Sequence, residues 1–354
     1  MLDVTVQGTG RVAGRIDPDE IDRILAGGAT LPAPFYTDPD LALLEDELIF
    51  RPSWQIVGIE PELRNSGDYL TTVIAGTGFS VPVLILRDEE LNLRAYVNVR
   101  RRQGLGLEPL PLESWQGFIF VSIAPKTGLK EALGELPAVL EEEGYAFPFA
   151  AGNADDSFEY KRVVVESPCA SNWKVLLENT VECYHCPTTH THSFSALYKV
   201  DPEHYEHREF DRGAYHTTWY QDEFASRLGL GDRAEPDYRF NWLWPNMFMG
   251  GGRRARLRSG WSRLVPAGVH NCIHVSTRFA MPGAEANSLS AEVEEEYVEA
   301  LRLTGQEDRE VSARVQRGLR SGMYTYGYTL QESERNMRHV YKMVWDALSP
   351  AFRA

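Results

Sequence analysis

A proline at position 187 separates two histidines, His185 and His190, that stand five residues apart. On an unbroken helix, five residues would turn the two imidazoles about 140° away from each other. Pro187 has no N–H and clashes with the preceding turn, so a regular helix cannot run through it. Glu182, three residues before His185, can share a helical face with it. Two imidazoles this close, with a carboxylate one turn upstream, make most of a 2-His-1-carboxylate cradle for a non-haem iron. The acid that completes the cradle has to come from elsewhere in the chain.

Length and charge narrow the setting. A chain of 354 residues buries one large core or two moderate ones. A net charge of −15 argues against a nucleic-acid binder, since phosphate contacts need clustered Lys and Arg. No apolar run reaches the length of a membrane span, and Met1-Leu2-Asp3 does not open a signal peptide, so a cytoplasmic location is expected. Four cysteines occur, Cys169, Cys183, Cys186 and Cys272. They suggest no disulfide framework, and Cys183 and Cys186 read as packed, inert thiols although they bracket His185.

Periodicity divides the chain. A helical stretch is expected over 40–50 after Pro32, Pro34 and Pro39, with Leu43, Leu44, Leu48 and Ile49 at near-helical spacing. Strands are expected at 54–58, 81–86, 93–99 and 115–123, the last with Gly117 inside it. A polar, partly helical connector covers 126–143. A strand at 161–166 then leads to the helix of the His motif. Further strands follow near 215–220, 238–249 and 270–280, and two helices near 291–319 (broken, on this reading, at Gly305) and 332–348. The charged segment 201–212, with His204-x-Glu206 and His207-x-Glu209, reads as a solvated loop.

The stretch from Asn172-Trp173-Lys174 through Glu178-Asn179 and Glu182 to His185 and His190 resembles the catalytic core of the Rieske non-haem iron oxygenase α subunits. That resemblance implies mononuclear Fe(II) held by His185 and His190. It implies a third ligand on the first C-terminal helix, where Gln306-Glu307-Asp308 followed by 315–321 is similar to the choline, glycine-betaine and carnitine oxygenase branch. Asp308 is carried over as that ligand, with Glu307 or Glu310 as the alternative; His192 is the alternative to His190. Glu182 is expected to accept the ring N–H of a ligand histidine and to bridge electrons between subunits, and Asn179 to lie near the metal without binding it. The implied fold is α+β: a segment 1–44, a cut-down Rieske-like β domain over 45–124, and a helix-grip (START/Bet v1-like) catalytic domain over 125–354 with an antiparallel sheet. A homotrimer is implied by analogy.

One part of the pattern is missing. A Rieske centre needs two Cys and two His, and the family places them after a strand that here ends Val97-Asn98-Val99. Arg100 and Arg102 stand where Cys and His are expected, and no cysteine occurs in residues 1–168. The expectation is therefore no [2Fe–2S] cluster in this chain. Arg100–Arg102 are either a solvated basic tip or partners of an acidic neighbouring subunit. Three function classes remain: an O2-activating oxygenase acting on a small molecule, with electrons from a ferredoxin and its reductase, a Rieske-bearing partner or the substrate; a Lewis-acid enzyme with zinc or iron; and a silent subunit. The first is favoured, because a silent subunit has no need of three metal ligands. Phe240, Trp242, Trp244 and Phe248 could cage a methylated ammonium, though core packing is the plainer reading. His204, His207, His216, His270, His274 and His339 read as structural.

Overall fold

The computed structural model describes residues 15–98, 107–142, 147, 149–150, 162–231, 236–251, 258–280, 291–330 and 333–353. Arg100–Arg102 lie outside the described residues. Among the described residues, three antiparallel sheets organise the fold. The first β-rich part contains β1 (Gln55–Ile59), β2 (Tyr69–Ala75), β3 (Ser80–Arg87), β4 (Leu93–Val97), β5 (Glu108–Leu110), β6 (Leu112–Trp115) and β7 (Phe118–Val121), arranged as β1-β7-β6 and β2-β3-β4-β5. The expected strand at 115–123 is instead a hairpin. Gln116 and Gly117 both adopt positive φ, and a Cβ at Gly117 would meet the Phe149 carbonyl, so the backbone turns there.

The second part is a seven-stranded sheet of β8 (Arg162–Cys169), β9 (Glu206–Phe210), β10 (Gly213–Thr218), β11 (Tyr238–Leu243), β12 (Met247–Gly251), β13 (Arg258–Pro266) and β14 (Cys272–Ala280). β9 to β14 form a meander, and β8 joins its far edge by pairing with β14. The expected strand at 238–249 is two strands, folded back between Leu243 and Met247. The expected loop 201–212 contains edge strand β9, where Phe210 is buried while Glu206 and Arg208 face outward.

Over β10 to β13 both faces of this sheet are covered, so these strands do not read as a polar/apolar alternation, whereas Val163–Val165 of edge strand β8 are exposed. One face packs Tyr215, Leu243, Met247, Met249, Trp261 and Phe279 against Phe118, Phe120, Leu133 and Phe147. The other packs Ala214, Trp242, Phe248, Leu264 and Cys272 beneath the helices. Those helices are α1 (Pro18–Ala26), α2 (Pro39–Glu45), α3 (Trp173–Val181), α4 (Ala291–Leu319) and α5 (Arg335–Leu348). α4 runs unbroken through Gly305, where a helix break was expected. A single glycine costs a helix only about 1 kcal/mol, and 29 residues of continuous hydrogen bonding absorb it.

The N-terminal segment is welded to the motif helix. Glu45, fully buried, accepts from the Trp173 indole at 2.8 Å and pairs with the equally buried Lys174. Phe35 lies edge-on to Trp345 of α5. Among the described residues no helix is long and apolar enough to cross a membrane.

Candidate metal centre

Asn172 caps α3 by accepting the Lys174 N–H, and the helix ends at Val181. Glu182 is extended, and Pro187 sits inside a single short turn, Cys186–Thr189, that ends at His190. The interruption swings the two rings together: His185 Nε2 and His190 Nε2 lie 3.1 Å apart. From α4, more than a hundred residues later, Asp308 Oδ1 comes to 3.0 Å from His190 Nε2 and 3.4 Å from His185 Nε2.

Each ring is held from behind by its own carboxylate. Glu182 Oε1 meets His185 Nδ1, and Glu307 Oε2 lies 2.8 Å from His190 Nδ1. Ser193 Oγ donates to the same Glu307 oxygen, and Asn179 Nδ2 donates to Asp308 Oδ1 at 2.7 Å. A carboxylate can only accept, so each Nδ1 donates to its glutamate, and each Nε2, turned toward Asp308, is the nitrogen left to bind a metal once its own proton is lost.

Three lone-pair donors therefore converge on one small space. Donors bound about 2.1 Å from a metal, at angles between octahedral and tetrahedral, are separated by roughly 3.0–3.4 Å. The three distances in the protein fall in that interval, so the donor set fits a small divalent cation. Titration points the same way. Burial lowers the His185 pKa, but hydrogen bonds to Asp308 and Glu182 outweigh it and carry the ring up to about 9. Burial likewise works against charge on His190, and Asp308 and Glu307 again raise its pKa. Burial would raise Asp308, yet hydrogen bonds from both rings hold it well below the usual carboxylate range. Positive charge is favoured at this point, whether carried by a proton or by a metal competing for the same lone pairs.

Glu182, Asn179, His185, His190 and Asp308 are thus brought together. Glu307 is there too, behind His190, while Glu310 is exposed on α4. His192 is exposed on the turn after His190. Adjacent acids on one helix were the only sequence signal for Glu307, and they left its role open. Cys183 and Cys186 are paired in a disulfide, which overturns the reading of two packed thiols. A Cys-x-x-Cys wrapped round a tight turn brings the two sulfurs within bonding reach. Cys186 also lies among the groups within 4.8 Å of the two histidines. The four aromatics do not form a cage: Trp242 and Phe248 are core, and the Trp242 indole donates to the Pro245 carbonyl at 3.1 Å. His207 and His216 are held neutral, burial driving the first down to about 4 and the second well below its ordinary value.

A family model described as "Ring hydroxylating alpha subunit (catalytic domain)" matches residues 154–349. Among curated relatives, the glycine betaine monooxygenase oxygenase subunit of Chromohalobacter salexigens is 27% identical over 49% of this chain and 46% of its own length. The carnitine monooxygenase oxygenase subunit of Escherichia coli K12 is 26% identical over 61% of this chain and 66% of its own length. The chain thus spans about half to two thirds of these relatives. A solved quaternary ammonium Rieske monooxygenase superposes with a TM-score of 0.71 at 20% identity, covering 90% of this chain and 95% of the other. Naphthalene 1,2-dioxygenase from Rhodococcus sp. gives 0.66 at 17% identity, covering 94% and 98%. The mixed helical and antiparallel fold is therefore that of Rieske oxygenase α subunits.

Proposed function

Since the chain belongs to the family of ring-hydroxylating alpha subunits, through their catalytic domain, we propose that it is an oxidoreductase: a non-haem iron(II) oxygenase of small molecules. The observation that carries this reading is the convergence of His185 Nε2, His190 Nε2 and Asp308 Oδ1 at mutual distances of 3.0–3.4 Å. These three residues would hold the metal, and a ferrous ion there supplies activation of O2. Glu182 and Glu307 fix the ring tautomers and orientations, and Asn179 keeps the Asp308 carboxylate turned toward the rings.

The electron source is the second half of the proposal. With no cysteine in residues 1–168, this chain cannot build a Rieske centre in its first β-rich part. Electrons would come from a ferredoxin and its reductase, from a Rieske-bearing partner or from the substrate. Residues 45–124 would then be a Rieske-like domain reduced to its sheets, and 125–354 a helix-grip catalytic domain. Assembly as a homotrimer in the cytoplasm is part of the same reading. The names of the relatives make quaternary ammonium compounds the first substrates to try.

A second reading, Lewis-acid chemistry with zinc, is favoured by the 3.4 Å separation of His185 and Asp308, which suits a tetrahedral angle. Metal analysis with O2-uptake measurements separates the two. Iron with reductant-dependent uptake supports the oxygenase, and zinc without uptake supports the alternative. Absence of metal binding under both conditions would sink both.

A further inference from the structure

We propose that a line of rings beside the metal centre is a one-electron relay that disarms it. An oxidising equivalent left there without substrate passes from His190 across Phe194 to Tyr198, and on to Tyr297, where a small thiol quenches it. The inference rests on the metal-site reading above, which makes His190 a ligand.

The path is made of direct contacts. The Tyr198 N–H closes one helical turn onto the Phe194 carbonyl at 2.8 Å, which sets the two rings on one side of that turn. His190 and Phe194 meet edge-on with ring centroids 6.4 Å apart, and Phe194 stacks on Tyr198 at 4.6 Å. Tyr198 bridges the backbone of Tyr220 and stacks on its ring at 4.9 Å, with the Tyr238 ring at 5.1 Å. The hydroxyls of Tyr198 and Tyr297 lie 3.4 Å apart. Four phenols from four separate segments therefore meet in one cluster, at the end of an unbroken line of rings that starts on a metal ligand.

Phenols give up an electron far more readily than a benzene ring does. Phe194 is thus the conducting contact, and Tyr198 is the first donor. Tyr198 is fully buried, and burial pushes its phenol well above the ordinary range. A charge left on it would stand unpaired in a dry interior. Its electron and its proton must therefore leave together, and the Tyr297 oxygen is placed to accept that proton. Tyr297 is half-buried on α4 and borders solvent. Tyr205 offers no such exit. Its phenol feels the charges of Glu182 and Asp308, but its ring neighbours are His207 and His216, both held neutral by burial.

The steps balance with hydrogen peroxide as the oxidant and a thiol as the reductant. Peroxide becomes two waters by taking two electrons, one from ferrous iron and one from Tyr198, and two protons from solvent. The Tyr198 proton moves to the Tyr297 oxygen and displaces the Tyr297 proton to solvent. A hydrogen atom then returns from the Tyr297 hydroxyl to Tyr198, which leaves the radical on Tyr297. The thiol restores Tyr297 by giving it a hydrogen atom, and two thiyl radicals pair as a disulfide.

The test uses the full chain, with iron uptake measured first. Iron-loaded protein is mixed with hydrogen peroxide without substrate, frozen and read by electron paramagnetic resonance. Wild type should show a tyrosyl radical that narrows with ring-deuterated tyrosine, and a spin trap should mark Tyr297 by peptide mass spectrometry. Tyr198→Phe should abolish the Tyr297 adduct without changing iron affinity. Tyr297→Phe should leave a radical at Tyr198 that decays more slowly in glutathione than the wild-type radical. Absence of a tyrosyl radical in iron-loaded wild type overturns the proposal, whether or not the variants fold. So does a wild-type adduct at Tyr205 in place of Tyr297, or a Tyr297 adduct that survives in folded Tyr198→Phe protein. A chain that takes up no iron sinks the oxygenase reading and the relay together; iron uptake without a tyrosyl radical sinks the relay alone.

Discussion

Glu307 and Asp308, neighbours in sequence, grip the same imidazole from opposite sides: Glu307 at 2.8 Å from Nδ1 of His190, Asp308 at 3.0 Å from its Nε2. Consecutive residues on a helix point about 100° apart, and His190 sits in the angle between them. Two like charges thereby acquire different work, one turned toward the space the metal would fill and one behind the ring.

The division predicts unequal losses. Asp308→Asn should abolish tight metal binding. Glu307→Gln and Glu182→Gln should each weaken it by about 10–100-fold, because they disturb ring orientation and basicity without removing a ligand. Titration against a competing chelator measures all three. Equal affinity for wild type and Asp308→Asn would remove Asp308 from the ligand set.

Glu178 should make stability fall with rising pH. It accepts from the Tyr36 hydroxyl at 2.6 Å, and burial raises its pKa from 4.5 to about 8, against the opposing pull of Tyr36 and Lys174. The folded state therefore keeps a proton that the unfolded chain releases above pH 4.5, and stability declines between there and about pH 8. Glu178→Gln should match wild type near pH 4 and be more stable near pH 8, by an amount on the order of a few kcal/mol. Urea unfolding at both pH values gives the answer.

The buried pair Glu45–Lys174 should behave asymmetrically. Lys174→Met alone leaves an unpaired buried carboxylate and is expected to cost about 3–5 kcal/mol. Glu45→Leu combined with Lys174→Met should recover much of that loss, although the Trp173 indole then lacks its acceptor. Chemical denaturation of the two single variants and the double variant closes the cycle.

Thiol counting checks the Cys183–Cys186 bond. Denatured, unreduced protein should titrate two thiols, from Cys169 and Cys272, and reduced protein four. Four thiols in both samples would rule the bond out.

Much of this architecture was legible because local chemistry repeats itself. Pro187 ruled out one helix through both histidines, although the motif helix already ends at Val181, so Glu182 and His185 meet across an extended residue and not along a helical face; the Asn172-Trp173-Lys174 start carried its own cap in Asn172. Other parts were silent for physical reasons. β13, with its Arg258-Ser259-Gly260 start, has neither alternation nor a run of β-branched residues, because it is a central strand buried on both faces over Gly260–Leu264. β9 looked like a loop because an edge strand tolerates charge on its outer side. The hairpin at Gln116-Gly117 read as one strand because only its second arm, Phe118–Val121, is an apolar run, and periodicity cannot register a reversal of direction.

The family match starts at residue 154, yet Tyr36 and Glu45 supply buried partners to Glu178, Trp173 and Lys174 on the motif helix. Cutting the chain at the conventional boundary would strand a charged lysine in a dry interior and strip the acceptor from an indole. The smallest autonomous piece of this protein therefore begins well before its recognisable catalytic region, and a fragment chosen by homology alone would be an incomplete solvent shield for its own active helix.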